Sequence, residues 1–231
     1  MFAIARFRIP QLLSAVSLVS AAAGAQAALP ETPETKIRPE CHGPNANGLQ
    51  CARAIERELL PGLARTGVAR IGGALRLKLD RKVLMLYDGN LETSQAVAYT
   101  YAKFLPDLNA HLLHLHLYEG GGYVLVHRHT GQQTFLDNLP QLSPDKKHFL
   151  VASEDMSAGY NFNGVEVWSV QKGLFSKEAR IELQWGPSTA HWMSASTAAI
   201  AKVCWGGRGT ELQPCGTAKL HRIAGKWAIA D

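Results

Sequence analysis

The chain has no Gly-x-Ser-x-Gly elbow, no His-Glu-x-x-His pair, no phosphate-binding loop and no Gly-x-Gly-x-x-Gly turn. These absences remove the best-marked routes to serine hydrolysis, zinc proteolysis and nucleotide binding. A strong basic patch is missing too. The longest cationic cluster is Lys146-Lys147-His148, without the interleaved aromatics of a nucleic-acid surface, so no nucleic-acid partner is expected. Cysteine is sparse, at four residues, and neither neighbouring pair has the short gap of zinc ligands. Beyond residue 27, no apolar run approaches the roughly 20 residues that cross a bilayer.

What is present begins with an address. Arg6 and Arg8 precede an apolar run from Leu12 to Ala23, and Ala25-Gln26-Ala27 has the small-residue pattern of a cleavage site. Residues 1–27 are therefore predicted to be a secretory signal peptide, and the destination periplasmic or secreted. No transmembrane segment is expected after cleavage, and no cysteine follows closely enough for a lipid-modified amino terminus. Cleavage removes two arginines and no acid, so the formal charge falls by two from +5. Residues 28–40 hold three prolines among glutamate and threonine and read as an extended tether. Residues 41–231 are expected to form a single β-rich domain.

Export brings the cysteines into an oxidising compartment. Four cysteines allow three pairings. The local one is favoured, Cys41 with Cys51 and Cys204 with Cys215, because each closes a loop rich in turn residues, HGPNANGLQ and WGGRGTELQP. In the loop-entropy model rings of that size contribute about 3 kcal/mol each.

Asn47 can cap a helix over about 48–60, with Ala52, Ile55 and Leu59 on one side and Pro61-Gly62 as its stop. Arg53, Glu56, Arg57 and Glu58 fall largely on the other side, the face expected to meet water. From Val68 the period drops to two. Leu75, Leu77 and Leu79 alternate with Arg76, Lys78 and Asp80, and Val83 to Tyr87 follows as a partner strand. Residues 88–94 read as a polar loop, and 95–104 fits either a strand or a short helix. His111 to Tyr118 and Tyr123 to His129 flank Glu119-Gly120-Gly121-Gly122, a hairpin signal.

The stretch from Leu139 to Val170 is the most regular. Ser143-Pro144-Asp145 makes a turn, since proline presets φ and aspartate bonds its own backbone two residues on. A buried strand from His148 to Ala152, an Asn/Gly loop and a second strand through Val165, Val167 and Trp168 follow. SPDKK ahead of an apolar strand, and then NGVEVW, resembles one repeat of the WD40-like or TolB-type β-propeller family, whose usual wording is SPDGK; Lys146 stands at the glycine. The resemblance covers residues 139–170 and implies an architecture, with no activity attached. Pro106, Pro140 and Pro187 each precede a polar stretch and an apolar strand, at spacings near that of propeller blades. The expected fold class is mainly β: a small propeller-like array of about four antiparallel units with one N-terminal helix, with a β-sandwich or barrel as the alternative.

Histidine supplies the one unusual constellation. His114 and His116 point to one side of their strand, and His127 and His129 to one side of theirs. A hairpin loop of two or four residues would set His114 opposite His127 and gather all four rings for zinc or copper. A three-residue Gly120-Gly121-Gly122 loop would divide them. The plainer reading is the polar face of a half-exposed sheet. Glu154, Asp155, Asn161 and Asn163 supply oxygens around a loop, but at no calcium-loop spacing. Ser143, Asp145 and His148 are accounted for by a turn and a strand edge, so no catalytic residue is nominated. Trp168, Trp185, Trp192, Trp205 and Trp227 read as core, with a sugar or peptide groove as the alternative. The expected function is an exported, non-enzymatic binding or scaffolding module for a protein or small ligand, with no cofactor. The runner-up is a metal-binding or metal-dependent protein built on the histidine hairpin of residues 111–130.

Overall fold

The computed structural model describes residues 39–42, 47–90, 92–207, 209 and 211–230. The expected signal peptide, residues 1–27, and all of the expected tether except residues 39 and 40 lie outside the described residues. Helix α1 spans Gly48–Leu63, and its cap is Asn47, whose side chain accepts a hydrogen bond from the Gln50 amide at 3.0 Å. The helix runs past Pro61, beyond the expected stop. Proline in a last turn forfeits one backbone bond, and termination waits for a 3-10 turn, Ala64–Thr66, and for Gly67 at φ 79°.

Among the described residues the strands form four antiparallel sheets, each a meander in chain order. Sheet one holds β1 (Val68–Ile71), β2 (Ala74–Lys78) and β3 (Val83–Tyr87). Sheet two holds β4 (Val97–Leu105), β5 (Ala110–Leu117), β6 (Gly121–His127) and β7 (Gln133–Leu136). Sheet three holds β8 (Gln141–Leu142), β9 (His148–Ser153), β10 (Gly164–Gln171) and β11 (Leu174–Glu182). Sheet four holds β12 (Gly186–Ser194), β13 (Thr197–Trp205), β14 (Leu212–Ile223) and β15 (Lys226–Ala230). The fold is therefore mainly β with four antiparallel units and one helix, a layout compatible with a propeller-like or a sandwich arrangement, and no sheet closes into a barrel. The ambiguous stretch 95–104 is largely strand β4, where Tyr99 and Tyr101 pair with Leu115 and Leu113. Pro140 and Pro187 lie at the starts of sheets three and four, but Pro106 sits in the turn between β4 and β5. The three prolines thus do not mark equivalent positions.

Three apolar cores join consecutive sheets. Leu75, Leu77, Leu113, Val124 and Val126 fill the first; Leu112, Leu125, Phe149 and Trp168 the second; Leu150, Val165, Val167, Ile200 and Leu220 the third. Side chains alternate across a strand, so Leu112 and Leu113 serve different cores, as do Phe149 and Leu150. Sheets two and three are covered on both faces, which is why β5, β6, β9 and β10 read as nearly continuous apolar runs. Trp168 is 9% exposed and stacks on Phe149 with ring centroids 5.9 Å apart. Trp227 is also buried, Trp185 and Trp192 pack against the third core, and Trp205 faces solvent.

Both expected disulfides form, Cys41–Cys51 with Cα atoms 4.7 Å apart and Cys204–Cys215 at 5.8 Å. Paired cysteines of this kind are typical of extracellular or periplasmic proteins. Among the described residues no helix is long and apolar enough to cross a membrane.

A meander's connections alternate between two ends. At one, here the turn end, residues 79–82, 106–109, 128–132, 143–147, 172–173 and 224–225 make short reversals. At the other, the loop end, residues 88–90 and 92–96, 118–120, 137–140 and 154–163 lie between strands. Helix α1 packs on β1, β4 and β5, with its first turn at the loop end.

Candidate functional site

The register of β5 and β6 decides the fate of the histidines. His116 pairs with Gly121, His114 with Tyr123 and Ala110 with His127. The reversal therefore uses residues 118–120, so His114 does not stand opposite His127 and the three-residue Gly120-Gly121-Gly122 alternative does not form either: Gly121 and Gly122 belong to β6. A Cβ at Gly122 would lie 2.4 Å from the Leu136 carbonyl oxygen, and one at Gly121 2.8 Å from that of Leu115, so close backbone approach demands glycine at both.

Alternation places His114, His116 and His127 on one face, but His127 pairs four positions further along, at the turn end. There it is buried. Its Nδ1 accepts the Thr130 amide at 3.2 Å and its ring packs on Phe175 at 5.6 Å. His129 lies beyond the strand, with Nδ1 3.3 Å from Asp80 Oδ2. The structure thus brings together only His114 and His116, whose ring centroids are 6.1 Å apart. His127 and His129 do not join them. Among the described residues no group of three or more His, Cys, Asp and Glu side chains is placed to hold a metal ion.

The oxygen-rich loop is occupied by its own backbone. Asp155 accepts amides from Ala158, Gly159 and Asn161 at 3.0, 2.8 and 2.6 Å. Glu154 accepts the Met156 amide at 2.8 Å, and Asn163 donates to the carbonyls of Leu183 and Trp185. Ser143 donates to Asp145 at 2.7 Å and accepts the His148 amide at 3.0 Å, the pattern of a turn. The His148 ring turns instead toward Arg222 and Glu178, at 3.3 and 3.5 Å.

A constellation that the sequence concealed lies under α1. Glu56 is 2% exposed and accepts from Arg70 at 2.8 and 3.1 Å, from Arg53 at 3.1 Å and from the Tyr101 amide at 2.7 Å. Asp88 bonds Arg53 closely, sits 3.4 Å from Arg70 and accepts the Tyr99 amide at 3.1 Å. Two cations and two anions thereby clamp α1 to sheets one and two. A buried carboxylate is tolerated because every lone pair that leaves water finds a donor. The visible signal was Arg53 and Glu56, three residues apart on one helix face. Helical periodicity assigned that face to solvent.

The outer side of this clamp opens into a cleft of about 970 Å³, lined by Gln50, Arg53, Arg70, Asp88, His116 and Tyr118 among others. His116 and Gly120 also line a second cleft of about 410 Å³, with His114, Asp137, Glu154 and Asn161, between sheets two and three. Leu117 and Tyr118 extend the first into a third hollow of about 350 Å³ that reaches Tyr160. All three open at the loop end. Burial, then the charges of His114 and Arg53, hold the His116 imidazole down to about 4, so it is neutral near pH 7 and its Nε2 lies 3.0 Å from the Thr100 hydroxyl. Burial and the Glu166 carboxylate raise Asp137 above the usual carboxylate range. The clefts offer fixed, planar hydrogen-bonding groups at positions set by the clamp.

No known family model matches the chain, and no curated protein or solved structure matches it.

Proposed function

We propose that this protein is an exported binding module whose small ligand lies in the joined clefts of the loop end. The observation that carries the reading is the continuity of those clefts, which share His116 and Gly120 on one side and Leu117 and Tyr118 on the other. Concave sites lined by a few pre-positioned polar groups are where small ligands bind. The two disulfides and the apolar leader of residues 1–27 support export. The propeller-repeat resemblance of residues 139–170 belongs to this proposal: Lys146 adopts φ 58°, the left-handed geometry that the glycine of SPDGK meets without strain.

Hydrogen exchange tests the site. Protein is compared with and without the low-mass extract of its exported fraction. Amides of residues 88–97, 116–121 and 154–161 are expected to slow, while 128–132 and 172–173 keep their rates. No protection, or equal protection at both ends, refutes the reading.

A further inference from the structure

We infer that the ligand of the loop-end clefts is an uncharged oligosaccharide, an inference that rests on the binding-module reading above. Charge is the first argument. Both arginines of the first cleft are already engaged by Glu56 and Asp88, so neither supplies a spare cation for a carboxylate or phosphate. His116, held neutral, adds none near pH 7.

Shape is the second. The first hollow, about 970 Å³, shares lining residues with the other two, about 410 and 350 Å³, a combined extent that suits a ligand of several sugar rings. An extended peptide would add to an unpaired strand edge, but these clefts lie at strand ends, where no backbone ladder is on offer.

Surface chemistry is the third. A sugar ring has apolar C–H faces and hydroxyl edges. Tyr118 and Tyr160, 60% and 57% exposed, stand together where Gly120 meets the Tyr160-Asn161 loop, and both line the third hollow. Such phenol rings give flat faces for C–H contact with a polar tip left in water. Tyr118 shares the first cleft with Arg53 and Asp88, whose side chains remain 23% and 15% exposed and hold each other in place. Preorganisation of this kind lowers the ordering cost of binding a flexible, hydrated ligand.

The test is calorimetric titration of the full chain, isolated from the exported fraction, with four probes: maltotetraose, cellotetraose, a β-1,4-linked N-acetylglucosamine tetramer, and tetragalacturonate as the charged control. Saturable binding of at least one uncharged tetrasaccharide is expected. Tyr118→Ala with Tyr160→Ala is expected to weaken it by about tenfold, with phenylalanine at both positions restoring it and the melting temperature unchanged. Tighter binding of tetragalacturonate, or no binding of any uncharged probe, overturns the inference. In either case, loop-end protection by the extract separates a wrong ligand class from a wrong site: if it persists, only the saccharide assignment fails, and if it is absent both readings fall.

Discussion

At the turn end neighbouring sheets are tied directly to one another. Asp80 pairs with Arg128 at 3.0 Å, and Gln132 exchanges two hydrogen bonds of 2.9 Å with the Phe175 backbone. Glu178 gathers Arg222, His148 and the Trp227 indole between sheets three and four. At the loop end the same gaps between sheets one, two and three are open clefts. The backbones differ accordingly. Asn109, Lys146, Lys172 and Ala224 all take left-handed φ, between 45° and 58°, in turn-end reversals. Polar groups of adjacent sheets bond across the turn end, whereas at the loop end the clefts open beside the Glu56–Asp88 clamp. One end closes the stack and the other leaves clefts between the sheets.

The sharpest way to break this comparison is to remove the clamp that holds the loop end. Glu56→Ala leaves two arginines, with side chains 23% and 17% exposed, facing no buried carboxylate, and is expected to cost about 3 to 5 kcal/mol. Glu166 is equally buried, but its partners Lys177 and Arg180 are 34% and 49% exposed and can turn into water. Glu166→Ala is therefore expected to cost less. Urea denaturation of both variants checks the order, and equal losses would show that the clamp is not special.

Acid should loosen both ends. Burial, with the Arg128 charge, holds His111 down to about 4, and His116 is held down to the same value at the loop end. A folded pKa below the unfolded value near 6.5 means that the unfolded chain takes up protons first as pH falls. Stability is thus full above about pH 6.5, declines between 6.5 and 4, and levels off below. Denaturation midpoints measured from pH 7.5 to 4 should fall, and His111→Phe should flatten the slope. A midpoint that rises on acidification would refute the assignment.

The smallest effect sharpens the turn end. Lys146→Gly relieves a left-handed lysine, a conformation that costs roughly 1 to 2 kcal/mol, and gives up an exposed pair with Asp107 worth at most about 1 kcal/mol. A gain below about 1 kcal/mol is expected, read as a raised melting temperature. A lowered one would mean that the Lys146–Asp107 contact outweighs the backbone strain.

Much of the fold was legible from residues alone. The Asn47 cap, the alternation from Leu75 to Leu79, the Ser143-Pro144-Asp145 turn and both cysteine pairings are local, decided by neighbours within a dozen residues. Trp168 was expected in the core and is there. The histidine hairpin was legible as a hairpin but not in register, because the carbonyls of Leu115 and Leu136 decide which glycines enter β6. Helix periodicity put Glu56 in water since its burial depends on partners elsewhere in the chain.

Local propensity and short-range pairing in the sequence by themselves determined a β-rich domain, its one helix, its turns and its two disulfides. The tertiary structure decided what those elements do together. Glu56 reaches Arg70 across 14 residues and the Tyr101 amide across 45, and Arg53 reaches Asp88 across 35. Separations of that size carry no periodic signal, so the clamp, the clefts beside it and the parting of His114 from His127 exist only once the sheets are stacked.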